Sequence, residues 1–181
     1  SAARPHTPNF GPKTPLKGYT FTEVLHRSKS FIIYAAIQLE TKRFVAVKHI
    51  PGVLDNPEST LKAIREVTVL RKLTELGSPL TTKLYDAILE NDNGLFLVTE
   101  GVGQNLKDFL DGVDSEPSFT ETDFVKLLYQ ILCSLRFLHE AGIMHRDVKP
   151  YNFLFSKDGS LKLANFGEAR SIPSSLKDAV Q

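Results

Sequence analysis

The chain has 181 residues, 41% of them hydrophobic, so it is long enough for one domain or two small lobes with buried cores. A formal net charge of +1 argues against nucleic acid or an anionic membrane surface as the main partner, and the single Cys133 excludes an internal disulfide and a multi-cysteine zinc site. The longest apolar run, residues 31–37, is too short to cross a bilayer. We expect a soluble cytoplasmic protein.

The N-terminal part of the chain divides into an arm and a β-rich region. Residues 1–18 contain four prolines and two glycines without an apolar period, which predicts an extended proline-rich arm outside the core. Strands dense in β-branched and aromatic residues follow, and the last two flank the turn signal "NDNG". The predicted strands cover 19–26, 31–38, 43–50, 82–90 and 95–100. They predict a five-strand antiparallel sheet.

Two helices are predicted. Asn56 followed by Pro57 is a typical helix start, and apolar residues then recur at helical spacing until Gly77. A second helix begins at Thr120 and ends at Gly142. Its broad apolar face predicts burial, and Cys133 within it is predicted to be an inert packed thiol. The face consists of Phe124, Leu127, Leu128, Ile131, Leu135 and Leu138. Short strands are predicted around 153–155 and 161–164.

Four polar motifs occur in a characteristic order. "VAVK" at 45–48 places Lys48 on the third strand, and Glu66 lies eighteen residues later in the first helix. "HRDVKPYN" at 145–152 and "NFG" at 165–167 follow. The order is that of the protein-kinase signature, so residues from about 19 to 170 resemble a eukaryotic serine/threonine protein kinase domain.

The resemblance implies an α+β, protein-kinase-like fold. Residues 19–100 would form the β-rich N-lobe, and 101–181 the hinge and the first part of a mainly helical C-lobe, as far as the start of the activation segment. ATP and Mg²⁺ would be the cofactors. The expected nucleotide-binding residues are Lys48, Glu66, Ala46, Thr99, Glu100, Val102 and Leu154, with Thr99 as gatekeeper and adenine between Ala46 and Leu154.

The resemblance also assigns the catalytic groups. Asp147 would orient the substrate hydroxyl and accept its proton, Lys149 would offset charge on the transferring phosphoryl group, and Asn152 would hold magnesium. Lysine two places after Asp147 is the serine/threonine form of the loop. Four further residues match the positions that align the two lobes. They are Leu70, Leu84, His145 and Phe166.

Two replacements affect the phosphate and metal apparatus. Asn165 stands where the family has an aspartate, and its amide oxygen could ligate Mg²⁺ but brings no charge. Around the turn between the first two predicted strands, His26, Ser28 and Phe31 stand where the family has three glycines that let backbone N–H groups approach phosphates. Both replacements predict weak binding of ATP and Mg²⁺.

Three hypotheses follow. The first is a pseudokinase that acts as a binding or scaffolding module. The second is an active but slow serine/threonine kinase that uses Asn152 as its main metal ligand. The third is a structural component of a large assembly, such as a cytoskeletal or ciliary array. It depends on the proline-rich arm and on the helix at 120–141, whose apolar face is expected to be open because the sequence stops at Gln181, without an APE-like motif.

Overall fold

The computed structural model describes residues 16–90, 94–101, 103–112 and 120–172. A five-stranded antiparallel sheet occupies the first half of the chain, with strand order β1-β2-β3-β5-β4. The strands are β1 (Tyr19–Arg27), β2 (Ile32–Gln38), β3 (Phe44–Ile50), β4 (Leu84–Leu89) and β5 (Leu95–Glu100). The predicted five-strand N-lobe is therefore confirmed, while three residues of the "NDNG" turn, 91–93, lie outside the described residues.

Helix α1 (Pro57–Glu75) packs against this sheet. It begins as predicted: the side chain of Asn56 accepts a hydrogen bond from the backbone N–H of Glu58 at 2.8 Å, and Pro57 is the first helical residue. Its inward face buries Glu66, Leu70 and Leu73. Glu66 is the one charged residue on that face, which marks it as a group with an internal partner.

The second half of the chain is mainly helical. Helix α2 (Leu106–Gly112) follows the hinge, and α3 (Glu121–Glu140) begins with Thr120 and Asp123 in a capping box, as predicted. Three short strands and a 3₁₀ turn at Pro150–Asn152 follow α3: β6 (Ile143–Met144), β7 (Phe153–Phe155) and β8 (Leu161–Leu163). The last strand, β9 (Arg170–Ser171), pairs with β6, and β7 pairs with β8. Helix α2 was missed because it is short and follows a polar connection.

The two halves share one core. Buried residues of α1, β4 and β5 pack with residues from α3 and from β6 to β8. The lobe-aligning residues are all buried in the joined core: Leu70, Leu84, His145 and Phe166. Below we refer to these four residues as the interlobe stack. Within it, the His145 and Phe166 rings meet edge to face, 5.2 Å apart.

Two expectations need correction. Leu16 belongs to the arm predicted to lie outside the core, yet it is buried with Val45, Val47 and Phe96 against one face of the sheet, because its apolar side chain covers that face. Helix α3, whose pattern alone predicts burial, buries Leu127 and Leu138 but leaves one side open, in agreement with the open face expected for the helix at 120–141. Its exposed apolar residues are Phe124, Val125, Leu128, Tyr129 and Leu132. Among the described helices, none is long and apolar enough to span a membrane.

Candidate active site

Lys48 and Glu66 form an ion pair between the sheet and α1. The Lys48 Nζ lies 2.9 Å from Glu66 Oε1 and 2.7 Å from Oε2, and both side chains are largely shielded from water. Lys48 has this partner because β3 directs it beneath the sheet and α1 turns Glu66 inward. The structure thus joins the strand-three lysine and the helix glutamate of the motif order in one ion pair.

Asn165 connects Lys48 to the catalytic loop. Its Oδ1 accepts a hydrogen bond from Lys48 Nζ at 3.2 Å, and its Nδ2 donates to Asn152 Oδ1 at 3.1 Å. The donor pattern fixes this orientation, since lysine has donors only. The backbone of Asn165 is left-handed, with φ 66°, a conformation that asparagine tolerates better than most residues. The Asn165 side chain therefore lies between Lys48 on β3 and Asn152 of the catalytic loop.

The catalytic loop holds its polar groups close together. Asn152 Nδ2 donates to the backbone oxygen of Asp147 at 2.7 Å and to its Oδ2 at 3.0 Å, and Lys149 Nζ lies 2.8 Å from the same Oδ2. Both hydrogen atoms of the Asn152 amide thus face Asp147, which leaves its Oδ1 toward Asn165. The structure brings the three predicted catalytic residues together.

Two ionisable groups of this loop have shifted pKa values. Burial opposes ionisation of Asp147, but its bonds to Lys149 and Asn152 outweigh that effect and hold its pKa below the ordinary value. Burial lowers the pKa of His145. The Nδ1 of His145 accepts the backbone N–H of Asp147 at 3.2 Å, and its Nε2 then donates to the Ala164 oxygen at 3.0 Å. The neutral imidazole therefore joins the catalytic loop to the strand that precedes Asn165.

The turn between β1 and β2 closes on itself. Ser28 Oγ accepts hydrogen bonds from the backbone N–H groups of Ser30 and Phe31 at 3.2 and 3.0 Å, while Ser28 N–H donates to the Phe31 oxygen at 2.9 Å. The Phe31 ring points back into the cleft, with its centroid 4.3 Å from Lys48 Nζ and 5.7 Å from the His26 ring. We call this turn, residues 28–31, the roof of the cleft; its Phe31 ring covers one side of Lys48.

The hinge is anchored from both sides. Ala46 and Thr99 are neighbours across β3 and β5, and Thr99 Oγ1 donates to the Ala46 oxygen at 3.4 Å. Gly103 N–H donates to the Phe155 oxygen, which places β7 and hence Leu154 beside the segment that follows the hinge. Val102, predicted to bind nucleotide, lies outside the described residues.

Sequence reasoning missed the partner of Glu100. Lys162 on β8 forms a largely buried ion pair with Glu100, with Nζ–Oε distances of 2.9 and 3.1 Å. In the sequence Lys162 stands between Leu161 and Leu163 in a short strand, and nothing there indicates that this strand approaches Glu100. The hydroxyl of Ser28 as an acceptor of loop N–H groups gave no signal either, because serine is ordinary in a turn.

A family model for the protein kinase domain matches residues 19–180. The chain belongs to the protein kinase family. This agrees with the arrangement of Lys48, Glu66, Asp147 and Asn152 described above, and with the five-stranded N-lobe joined to a helical C-lobe.

Several curated kinases are similar to this kinase domain. Mitogen-activated protein kinase MPS1 of Pyricularia oryzae is 33% identical over 84% of the chain, and cyclin-dependent kinase 4 of Xenopus laevis is 37% identical over 76%. Cell division control protein 2 homolog 3 of Trypanosoma brucei brucei is 34% identical over 89%. The matches cover 36%, 44% and 50% of those proteins, respectively, so the chain spans at most half their length.

In a protein kinase domain these positions have assigned tasks. The strand-three lysine holds phosphates, the catalytic-loop aspartate orients the hydroxyl, and two magnesium ions are held by the catalytic-loop asparagine and by the aspartate before Phe-Gly. Here Asn152 is present and Asn165 replaces the aspartate. Within the described residues, no cluster of three or more His, Cys, Asp or Glu side chains could hold a metal ion. The donor set differs from the family's magnesium pair at one residue, Asn165.

Proposed function

We propose that this chain is a catalytically impaired protein kinase domain of serine/threonine type that acts by binding rather than by phosphoryl transfer. One observation carries the proposal: the amide of Asn165 donates a hydrogen bond to Asn152 Oδ1, the oxygen expected to ligate magnesium. An aspartate at 165 would present a second oxygen there, and the two oxygens would attract a cation. The amide N–H of Asn165 instead gives Asn152 Oδ1 a hydrogen-bond partner, so this oxygen needs no cation.

Charge supports the same conclusion. Lys48 is paired with Glu66 and Lys149 with Asp147, so these four ionised groups sum to zero. Asn165 adds nothing to this sum, whereas an aspartate would add the negative charge that a hard cation prefers. Phosphoryl transfer depends on positioned charge, and loss of one preorganised group typically costs about 10²–10³ in rate.

A second candidate is an active but slow serine/threonine kinase. It is favoured by the intact ion pair between Lys48 and Glu66 and by the hydrogen bonds from Asn152 to Asp147. In this candidate Asn152 alone would place the metal ion. ATP and Mg²⁺ would then be used as in the relatives, at a reduced rate.

A transfer assay distinguishes the two candidates. The natural full-length protein and its Asp147→Ala variant are incubated with Mg²⁺, labelled ATP and a serine/threonine peptide library. We expect equal, background transfer from both, and no restoration in Asn165→Asp because Phe31 still obstructs the roof. Asp147-dependent transfer by the unmodified protein, rising about 10²–10³-fold in Asn165→Asp, would favour the slow kinase instead.

We further propose that the binding partners are proteins, within a larger assembly. The support is the open apolar side of α3, where Val125, Leu128 and Tyr129 are each more than half exposed. Contiguous apolar surface of this kind is typical of protein contacts. Sedimentation after mild extraction tests the proposal: we expect the protein in a large particle, and a clean monomer would contradict it.

A further inference from the structure

The three N–H donors of the strand-three lysine all have partners within the chain. Its ammonium group has three N–H donors, and they face Glu66 Oε1, Glu66 Oε2 and Asn165 Oδ1. The remaining open side of Lys48 is covered by the Phe31 ring, whose centroid lies 4.3 Å from Nζ. A cation so close to an aromatic face is stabilised by it. Lys48 is therefore saturated by groups of its own chain.

Backbone N–H groups of the roof have partners within the turn as well. Backbone N–H groups in this turn are the ones that approach phosphates in the family, yet Ser30 and Phe31 both donate theirs to Ser28 Oγ. Ser28 N–H is bonded to the Phe31 oxygen. Freeing these groups for a phosphate would require the turn to open and Phe31 to leave Lys48.

On the hinge side of the cleft, the residues that the family uses around adenine have no bulky or charged replacement. Ala46 and Thr99 remain paired across the sheet, and the ion pair between Glu100 and Lys162 fixes the end of β5 to the C-lobe. Gly101 approaches β3 so closely that an added Cβ would lie 2.7 Å from the Phe44 backbone oxygen. No bulky or charged replacement affects Ala46, Thr99 or Leu154, which the family uses around adenine.

We propose that the cleft binds an uncharged purine nucleoside, such as adenosine, without a metal ion, and that Phe31 takes the place of the phosphates. This inference rests on the proposed function, since a site that transferred phosphate would have to hold ATP. ATP carries about four negative charges at neutral pH, and it meets paired cations, occupied N–H groups and an aromatic ring. Adenosine has no phosphate groups, so the paired cations, the occupied N–H groups and the aromatic ring do not oppose its binding.

Calorimetric titration of the natural full-length protein tests the inference, with adenosine, with ATP in EDTA, and with ATP in Mg²⁺. We expect adenosine to bind at least about tenfold more tightly than ATP, and Mg²⁺ to leave the affinity for ATP nearly unchanged. In Phe31→Ala, the affinity for ATP should rise about tenfold while that for adenosine changes little, because the ring no longer covers Lys48.

Leu89→Ala is the control. Leu89 is more than half exposed at the end of the edge strand β4, where it pairs with Leu95, so neither affinity should change. Tighter binding of Mg·ATP than of adenosine would overturn the inference. So would the absence of adenosine binding to a cooperatively folded protein, or an unchanged affinity for ATP in Phe31→Ala.

The outcomes also separate the two proposals. Mg·ATP bound tightly without any Asp147-dependent transfer would overturn the nucleoside inference and leave the impaired kinase standing. Asp147-dependent transfer by the unmodified protein would overturn the impaired kinase itself. Selective adenosine binding together with background transfer supports both.

Discussion

Asn165 and Phe166 are neighbours in the tripeptide at 165–167, but they lie in two regions that compare differently with the protein kinase family. Phe166 lies in the interlobe stack, where it is fully buried and meets His145 edge to face. Asn165 belongs to the phosphate side of the cleft, which we define as Phe31, Lys48, Asn152 and Asn165. The stack keeps every side chain that the family resemblance implies, whereas the phosphate side has lost its carboxylate and gained an aromatic ring.

The difference shows that packing and chemistry place separate demands on the same segment. The stack requires apolar volume and shape, and its residues provide both. Asparagine has nearly the shape of aspartate, so Asn165 leaves the fold intact while removing charge and adding a donor. A kinase domain can thus retain its architecture when an uncharged asparagine precedes Phe-Gly, and substitutions in the two regions should have different consequences.

Phe166→Ala should have the largest effect on stability. Removal of a fully buried phenylalanine leaves a cavity between the lobes and should lower the free energy of unfolding by about 3–5 kcal/mol. Chemical denaturation of the natural full-length protein measures it. Asn165→Asp is the neighbouring control and should change stability much less. A loss at Phe166 no greater than that at Asn165 would contradict the distinction between the two regions.

Glu66→Gln tests the boundary between the regions, because Glu66 is buried with the core yet pairs with Lys48. The amide keeps one acceptor but loses the charge that compensates Lys48, and the expected loss of stability is about 1.5–3 kcal/mol. Glu58→Gln is a matched control on the same helix, since its pair with Lys62 is largely exposed and should contribute little. Equal effects of the two substitutions would show that the Glu66 pair is no stronger than a surface pair.

Much of this arrangement could be predicted from the sequence. Local signals located seven of the nine described strands and both long helices, because β-branched runs, Asn56 and Thr120 act over a few residues; the two-residue strands β6 and β9 were missed. The site was predicted through the order of its motifs, which brought Lys48, Glu66 and Asp147 together although they are far apart in the chain. The order and spacing of the motifs identify these residues as members of one site even though the chain separates them.

Other features depended on three-dimensional contacts and could not be predicted. That Phe31 covers Lys48 depends on how the β1–β2 turn folds, which the Ser28 hydroxyl decides. The pair between Glu100 and Lys162 depends on the approach of β8 to the hinge. The burial of Leu16 likewise depends on a sheet face that no local pattern describes.

The smallest predicted effect is the change of stability with pH that His145, a residue of the interlobe stack, should cause. Burial lowers the pKa of His145 below the ordinary 6.5, so the unfolded chain binds a proton more readily than the folded one. Stability should therefore fall as pH decreases below about 6.5, because protonation of Nδ1 removes the acceptor for the Asp147 N–H. The slope for one proton cannot exceed about 1.4 kcal/mol per pH unit.

Above pH 4.5 the contribution of His145 to the pH dependence of stability can be measured apart from that of Glu168 and Asp147. Bonds to Lys62 hold the pKa of Glu168 below its ordinary 4.5, and the pKa of Asp147 is also lowered, so both carboxylates lose their contribution only at lower pH. Denaturation of the unmodified protein and of His145→Phe between pH 7.5 and about 5 gives the difference in slope. We expect a shallower slope in the variant. Parallel slopes would mean that His145 binds its proton equally readily in the folded and the unfolded chain, and would remove the link between the stack and the catalytic loop.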